Sequence, residues 1–372
     1  MTMQIIFCNY IREGQFSGSL MHSSLSQMEV LWKLVFTVGL LGSLCEGSIS
    51  CKNEGGADVD WFILYKKNDG FKYVYTDSKD QNLKKGNKDI NDQAGVLAHT
   101  LKPYFENYDT PSPDLEFIAY NDQPPPDDET VGQSYGHSKG VVMKDNNAVV
   151  WLLHSTPRFP FSGEKKDFYP ENGETNAQIF LCVTLESTEF KEINQHLKDI
   201  KAYRFEESQP EKRARRTSVS SYSNVLKSKG GQEFKRFVKN ISKDRDAKVG
   251  DLYVTIADEL KSNLYIQTWR SRPDCISETN KGHELYNIVS VKTSVGEWKH
   301  GRDHSKWCVS ESGDWTCVAD SNREESQFAR PGGALCINSK PVTEAFKDLI
   351  SNVGNRKASS AGGSPPPQKA KV

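Results

Sequence analysis

The tripeptide His-Ser-Lys occurs twice in this chain, once in each half. The copies are His137-Ser138-Lys139 and His304-Ser305-Lys306, and each leads into an apolar run that is typical of a β-strand. Residues i and i+2 of a strand lie on the same face, so each copy is expected to place an imidazole beside an ammonium group. The duplication therefore predicts two half-sites that fold against each other.

Two imidazoles and two ammonium groups together suit the chemistry of a phosphodiester. The lysines can hold the non-bridging oxygens, while one imidazole attacks phosphorus and the other protonates the leaving oxygen. We therefore identify His137, Lys139, His304 and Lys306 as candidate catalytic residues. The sequence does not indicate which histidine attacks.

The charge balance restricts how such a site can attract a polyanion. The formal net charge is −1 over 372 residues, so the chain lacks the basic excess of a protein that binds nucleic acid through its overall charge. Its histidines and carboxylates gain protons as the pH falls, whereas a DNA phosphodiester stays anionic. A polyanion site is therefore expected to be local, or to form in acid.

The N-terminal region has the pattern of a secretory signal. An uncharged run at 34–44 precedes Cys45-Glu46-Gly47, a small-x-small cleavage pattern, and is short for a membrane span. We predict a signal peptide over 28–50, cleaved after that pattern or after Ser50, and an upstream extension over 1–27. The mature protein is then expected to have no membrane anchor; an uncleaved anchor is the alternative.

Removal of the signal peptide would leave six of the eight cysteines, which in a secretory compartment indicates disulfides. The sequence alone does not choose among the possible pairings. The spacings of a zinc site, such as C-x-x-C, do not occur, so we expect neither a metal nor another cofactor. Asn240-Ile241-Ser242 is a glycosylation sequon, which fits the same compartment.

Strands and helices alternate in both halves, which favours a two-lobed α/β architecture with mixed sheets. The periodicity and turn residues predict strands at 59–65, 115–120, 140–143, 148–153, 177–185, 263–269 and 285–292, a hairpin turn at 312–314, and helices at 188–201, 232–240 and 250–261. We divide the mature chain into halves at 51–208 and 232–352, a linker at 209–231, and a disordered tail at 353–372.

The linker contains a basic run, 211–217, in a Ser-rich stretch. One interpretation is a solvated surface loop. The other is a processing site, because Arg213-Ala214-Arg215-Arg216 has the form that secretory convertases cut and an exposed polar loop tolerates cleavage.

Longer motifs resemble the deoxyribonuclease II family over most of the mature chain. The matching stretches are 60–62, 120–125, 136–141, 151–157, 181–183, 303–309, 315–318, 332–333 and 335–336. The resemblance implies a phospholipase-D-like fold in which two half-domains pack as a pseudo-dimer and each gives one His-x-Lys to a shared site. It also implies metal-independent cleavage of DNA to 3′-phosphate ends, fastest in acid.

The resemblance further implies disulfides Cys51–Cys182 and Cys317–Cys336, with Cys275 either free or paired with Cys308.

The chain departs from the phospholipase D motif in the position of a carboxylate. The phospholipase D motif has an Asp at a fixed distance after His-x-Lys, where this chain has Glu311 in the second copy and an Asp one place late, Asp145, in the first.

His154 completes the candidate catalytic set. It lies at the end of the strand that follows the first His-Ser-Lys strand, where we expect it opposite His137 across the hairpin. It can orient the site or bind phosphate, or hold a turn through hydrogen bonds. Asp122 and Asp303 are weaker candidates for orienting the histidines. The histidines expected to be structural are His99, His196, His283 and His300, and the tryptophans expected in the core are Trp61, Trp151, Trp269 and Trp307.

We therefore expect an acid endodeoxyribonuclease that acts through a phosphohistidine intermediate, with DNA as its partner, in the lysosome or secreted. Two alternatives stay open: a toxin-like secreted member of the same family, and a phospholipase-D-type phosphodiesterase with a substrate other than DNA. The sequence leaves open whether the protein forms a homodimer.

Overall fold

The computed structural model describes residues 48–125, 131–161, 167–209, 222–239, 241–270, 279 and 281–354. These belong to a compact unit that begins at Ser48. Several predicted features lie outside the described residues: the upstream extension and most of the signal peptide, Cys275, Asn240 of the sequon, the basic run, and the tail beyond Gly354.

The first half builds an eight-stranded antiparallel sheet in the order β10-β6-β7-β8-β9-β3-β4-β5, and a separate small hairpin, β1-β2. The strands are β1 Cys51–Lys52, β2 Asp58–Val59, β3 Trp61–Lys66, β4 Tyr73–Asp77, β5 Lys84–Lys85, β6 Glu116–Asn121, β7 Lys139–Lys144, β8 Ala148–His154, β9 Gln178–Glu186 and β10 Arg204–Glu207. The helices are α1 Val96–Thr100, α2 Lys102–Asp109 and α3 Phe190–Asp199.

The second half builds a nine-stranded sheet in the order β11-β12-β18-β17-β16-β13-β14-β15, with β19 also paired to β14. It is mixed, because β13 and β14 run parallel. Its strands are β11 Tyr222–Lys227, β12 Glu233–Val238, β13 Leu264–Gln267, β14 Leu285–Thr293, β15 Gly296–Lys299, β16 Trp307–Ser310, β17 Trp315–Ala319, β18 Gly333–Asn338 and β19 Ile350–Val353. The helices are α4 Ala247–Gly250, α5 Leu252–Leu260, α6 Glu325–Phe328 and α7 Lys340–Asp348.

The order of elements around the two tripeptides is repeated. In the first sheet, β7 lies between β6 and β8, and β9 and β3 follow in the antiparallel ladder. In the second, β16 lies between β13 and β17, and β18 and β12 follow in the same way. Counted from the strand that follows each tripeptide, β7 or β16, the third strand is followed by a helix. This helix is α3 after β9 and α7 after β18. The two His-Ser-Lys segments therefore enter equivalent strands.

Apolar side chains form three cores, which explains why the central strands are hydrophobic on both faces. One core contains side chains of both sheets together with α3 and α7, among them Trp151 and Trp307. A second lies between the first sheet and helices α1 and α2, and a third lies between the second sheet and α5. Neighbouring residues of a strand thus serve different cores, as Phe62 and Ile63 do on β3.

Most predicted elements are confirmed, including the helices at 188–201 and 250–261 and both hairpins. The helix predicted at 232–240 is wrong, because this segment is β12, paired with β11 and β18. Phe234 and Phe237 would share one face of a helix, but in the strand they enter the central core and the outer core respectively. Part of the predicted linker, Tyr222–Lys227, is the edge strand β11.

Both implied disulfides are present, Cys51–Cys182 and Cys317–Cys336. Cys308 is a buried free thiol, so the alternative pairing of Cys275 with Cys308 is wrong. Cys308 is directly opposite Cys317 across β16 and β17, and Cys317 is opposite Cys336 across β17 and β18. Three cysteines therefore form one row across the second sheet.

None of the helices in the described part of the chain is both long enough and apolar enough to cross a membrane. The helices are short and are placed by packing and by their first residues. Asp251, for example, accepts a hydrogen bond from the backbone N–H of Tyr253 at 3.0 Å and so caps α5.

The structure buries His196 of α3 almost completely, with its ring 5.3 Å from that of Trp151. Burial, and next the charge of Arg236, lower its pKa to about 3, against an ordinary value near 6.5. Between these values the unfolded chain binds a proton that the folded protein excludes, so His196 makes the protein less stable as the pH falls below about 6.5.

We predict that His196→Gln reduces this loss of stability in acid. Between pH 7 and pH 4.5, its free energy of unfolding should fall by about 2–3 kcal/mol less than that of the wild type, measured by urea denaturation. Ile193→Val on the same helix is the control, since it should cost about 0.5–1.5 kcal/mol equally at both pH values. A pH dependence in His196→Gln identical to that of the wild type would contradict the assignment.

Candidate active site

The two tripeptides lie at the starts of β7 and β16, where the sheets meet. His137 precedes β7 and Lys139 begins it, while His304 and Lys306 directly precede β16. Ala177 joins the two regions, because its N–H donates to the carbonyl oxygen of Arg302 at 3.0 Å and its carbonyl accepts from the N–H of His304 at 2.9 Å. Main-chain hydrogen bonds between the halves therefore fix the second tripeptide against the first sheet.

Asp122 organises the first half-site. It follows β6, the strand next to β7, and its carboxylate is almost fully buried. Its Oδ2 lies 2.7 Å from Nδ1 of His137, and its Oδ1 accepts from Nζ of Lys139. Burial alone would raise the pKa of Asp122, but the charge of Lys139, the hydrogen bond with His137 and the charge of Arg330 hold it well below its ordinary value. Asp122 is thus an ionised carboxylate that orients the first imidazole with Nε2 left free.

Asp303 organises the second half-site differently. Its carboxylate accepts hydrogen bonds from the hydroxyl of Tyr65, from Nε1 of Trp298 at 2.8 Å and from the N–H of Ser305 at 2.9 Å. It therefore holds the main chain on either side of His304. Burial raises the pKa of Asp303, and these hydrogen bonds oppose the rise.

The two imidazoles have different neighbours. Gln267 of β13 pairs with Trp307 of β16, so Trp269 occupies in the second half the position that Asp122 has beside β7. The Trp269 ring is half-buried and lies edge-on to that of His304, with centroids 6.4 Å apart. Trp269 was expected in the core, and that prediction is wrong because this tryptophan borders the site. The other three tryptophans expected there are fully buried.

Both lysines are buried, with only 3% and 4% of Lys139 and Lys306 exposed. Nζ of Lys306 donates to the carbonyl oxygen of His304 at 2.7 Å. Burial, and next the charge of Lys139, lower the pKa of Lys306 to about 7. Burial also lowers the pKa of Lys139, against the attraction of Asp122. Two buried ammonium groups close together form a site that favours an anion.

The pKa of each histidine also depends on the charge of the lysine in the other tripeptide. Burial and the charge of Lys139 lower the pKa of His137 to about 3, with a further decrease from Lys306 and an opposing increase from Asp122. Burial, Lys306 and Lys139 lower the pKa of His304 to about 3. The fold thus brings the four side chains close enough for their charges to interact, and both imidazoles are neutral near pH 7.

Comparison with known proteins identifies one family over most of the chain. Residues 50–356 match the family model for deoxyribonuclease II. The chain is 31% identical to human deoxyribonuclease-2-beta over 84% of its own length and 93% of the relative's. It is 30% identical to rat deoxyribonuclease-2-alpha over 82% and 93% of the two lengths, and 32% identical to plancitoxin-1 of Acanthaster planci over 89% and 98%.

The chain belongs to the deoxyribonuclease II family. The family resemblance and the enzyme class expected from the sequence, an endonuclease, are therefore confirmed.

Two charged residues of this family member were missed in the sequence. Arg330, between α6 and β18, donates from Nη2 to Oδ2 of Asp122 at 2.7 Å. Asp320 follows β17 and accepts both from the N–H of Gly333 at 2.9 Å and from the hydroxyl of Ser321. Burial raises the pKa of Asp320 to about 6, against the effect of these hydrogen bonds and the charges of Lys239 and Arg330. Neither residue stands in a repeated motif, so the sequence carried no signal for them.

His154 lies at the end of β8, beside the start of β7 and the first half-site. By register it is opposite Lys139, one position beyond the Gly140–Leu153 pair, and not opposite His137 as expected. Its ring packs between Phe159 and Phe180, and its Nδ1 accepts from the N–H of Thr156 at 3.2 Å. Nε2 is buried and has no hydrogen-bond partner among the described residues. Burial and the charge of Lys139 lower the pKa of His154 well below its ordinary value.

The carboxylates that follow the tripeptides in sequence do not support them. Asp145 accepts from the N–H groups of Ile49, Asn147 and Ala148 and so holds the hairpin turn. Glu311 accepts from the hydroxyl of Tyr265 and the side chain of Asn263. Within the described ranges, no three His, Cys, Asp or Glu side chains are grouped so that they could hold a metal ion.

Tyr65 and Asp303 form a buried, charge-assisted hydrogen bond between the two halves. We predict that Tyr65→Phe lowers the free energy of unfolding at pH 7 by about 1.5–3 kcal/mol, because the hydrogen bond is made to a carboxylate. Tyr120→Phe is the matched control. The hydroxyl of Tyr120 accepts a hydrogen bond from the neutral indole of Trp151, at 3.1 Å, and its loss should cost about 0.5–1.5 kcal/mol. Equal costs in urea denaturation would contradict the prediction.

Proposed function

We propose that this protein is an acid endodeoxyribonuclease that hydrolyses DNA to 3′-phosphate ends, with two histidines and no metal ion in the chemistry. The observation that carries the proposal is that hydrogen bonds through Ala177 fix the second tripeptide against the first sheet, where both lysines lower the pKa of both histidines. Lys139 and Lys306 would bind the non-bridging oxygens, the task that a metal ion performs in other nucleases.

His137 is proposed as the nucleophile. Its Nδ1 faces the ionised carboxylate of Asp122 at 2.7 Å, which fixes the tautomer whose Nε2 carries the lone pair. Attack of Nε2 on phosphorus places positive charge on the imidazole, and Asp122 stabilises that charge.

His304 is proposed as the general acid. It gives its proton to the 5′ oxygen as the bond from phosphorus to that oxygen breaks. In the described part of the chain no carboxylate contacts its ring, and burial together with the charges of Lys306 and Lys139 lowers its pKa, so its proton is readily released. His304, now neutral, then takes a proton from water, which attacks the phosphohistidine and leaves a 3′-phosphate on the DNA and a free His137.

The mechanism explains a preference for acid. Both imidazoles have pKa values of about 3 and are neutral near pH 7, yet the reaction needs one proton on His304. A bound phosphodiester anion raises these pKa values, so DNA and a proton bind together. Affinity should therefore increase as the pH falls from neutrality.

The repeated strand order around β7 and β16 supports a further proposal, that 51–208 and 232–352 are two phospholipase-D-like half-domains packed as a pseudo-dimer. His154 is proposed as an auxiliary site residue, because its buried Nε2 and its closeness to Lys139 suit a contact to a bound phosphate. The N-terminal signal and the two disulfides suit a lysosomal or secreted protein.

A toxin-like secreted role is the second candidate, favoured by the similarity to plancitoxin-1. It uses the same nuclease site and differs in the destination of the protein. A phospholipase-D-type activity on another substrate is the remaining alternative, and assays with phosphatidylcholine beside plasmid DNA would separate it.

We predict that the purified mature protein nicks supercoiled plasmid in EDTA, faster at about pH 5 than at pH 7.5. His137→Ala and His304→Ala should each lower the nicking rate by at least about 100-fold, since the first removes the nucleophile and the second removes the general acid. His99→Ala, on α1, serves as the control and should stay active. Activity that disappears in EDTA and returns with magnesium would disprove the mechanism.

We predict that a substrate with a better leaving group distinguishes the roles of the two histidines. An oligonucleotide with sulfur in place of the scissile 5′ oxygen needs no general acid. In single-turnover reactions, His304→Ala should therefore cleave it at least about 100-fold faster than the oxygen substrate, whereas His137→Ala should gain little. Rescue of His137→Ala instead would reverse the two roles.

A further inference from the structure

Arg330 reaches from the second half into the first half-site. It lies between α6 and β18, is 8% exposed, and belongs to neither His-Ser-Lys motif. Its Nη2 donates to Oδ2 of Asp122 at 2.7 Å, and its Nε donates to the carbonyl oxygen of Tyr135 at 2.8 Å. One guanidinium thus holds two different parts of the other half.

Both contacts are made to groups that hold His137 in place. The first is made to Asp122, the hydrogen-bond partner of the His137 ring. The carboxylate oxygen that accepts from Arg330 is the one that contacts Nδ1 of His137, while the other oxygen accepts from Lys139. With Arg330 in place, Asp122 cannot rotate without losing one of its three hydrogen-bond partners, Arg330, His137 and Lys139. The side chain therefore fixes the direction in which the carboxylate meets the imidazole.

The second contact fixes the main chain before His137. Tyr135 lies two residues upstream, and the next residue, Gly136, donates its N–H to the carbonyl oxygen of Lys201 at 3.0 Å. A Cβ at Gly136 would lie 2.3 Å from the carbonyl oxygen of Ile200, so the chain runs there in close contact with the segment after α3. Arg330 provides a second contact to this segment, through the carbonyl oxygen of Tyr135.

We propose that Arg330 is a positioning residue for the reaction, supplied by the second half to orient His137 and Lys139 through Asp122 and Tyr135. The first tripeptide then attains its working geometry only when the second half is docked, although the first half contains both its residues and Asp122. This inference rests on the proposed function for its effect on turnover, and on the structure alone for its effect on the titration of His137.

Arg236 offers a matched control. It is also a buried arginine of the second half that contacts the first, through the carbonyl and carboxylate oxygens of Glu192, both at 2.6 Å. It lies on β12 and contacts none of the site residues. Removing either arginine should weaken the docking of the halves, but only Arg330 should affect the chemistry.

The test compares Arg330→Ala, Arg330→Lys and Arg236→Ala with the wild type in plasmid nicking. Arg330→Ala should lower kcat by about 100-fold, a loss typical of a misplaced catalytic group, with KM within about threefold. Arg330→Lys should recover part of kcat, because it keeps one contact to Asp122 and loses the contact to Tyr135. Arg236→Ala should keep kcat and the pH profile while lowering the urea midpoint. If Arg330→Ala fails to fold, Arg330→Lys compared with Arg236→Lys decides in the same way.

An NMR titration of the His137 ring gives a result that does not depend on turnover. Without Arg330, Asp122 has one cation fewer to compensate its charge, so the pKa of His137 should rise, and the acid limb of kcat should move to higher pH. An unchanged His137 pKa in Arg330→Ala, or an equal kcat loss in Arg236→Ala, would overturn the positioning role. Wild-type protein that does not nick DNA would refute the proposed function but leave this titration as a valid test.

Discussion

Two buried lysine ammonium groups, one from each half, lie close enough for their charges to interact, and nearby carboxylates compensate them. Lys139 and Lys306 would be expelled or deprotonated without nearby negative charge. Asp122 is the ionised partner that contacts Lys139, and Asp303 and Asp320 act on Lys306 from a greater distance. The remaining positive charge makes the site suitable for a phosphodiester.

This electrostatic requirement also connects the two sheets. Asp122 belongs to the first half but binds Arg330 of the second, whereas Asp303 belongs to the second half but binds Tyr65 of the first. Each half thus provides a carboxylate that the other half completes. The halves share a central core as well, so packing and charge favour the same assembly.

The sequence predicted what is local or repeated. The duplicated tripeptide identified the four central side chains, and alternation of apolar residues identified the strands that carry them. The segment at 232–240 was misassigned because two phenylalanines three residues apart fit a helix as well as a strand with two buried faces. Asp320, Arg330 and the place of Trp269 depend on which strands become neighbours. Arg330 is 208 residues from Asp122 in sequence, so no spacing rule connects them.

The row of cysteines across β16, β17 and β18 has a consequence for the chemical durability of the fold. Cys317 is flanked on one side by its disulfide partner, Cys336, and on the other by the free thiol of Cys308, so two alternative bridges compete for one sulfur. Exchange requires a thiolate, and burial raises the pKa of Cys308 well above its ordinary value. The native bridge is therefore preserved by the exclusion of water from β16, and local opening of that strand would be enough to permit disulfide exchange.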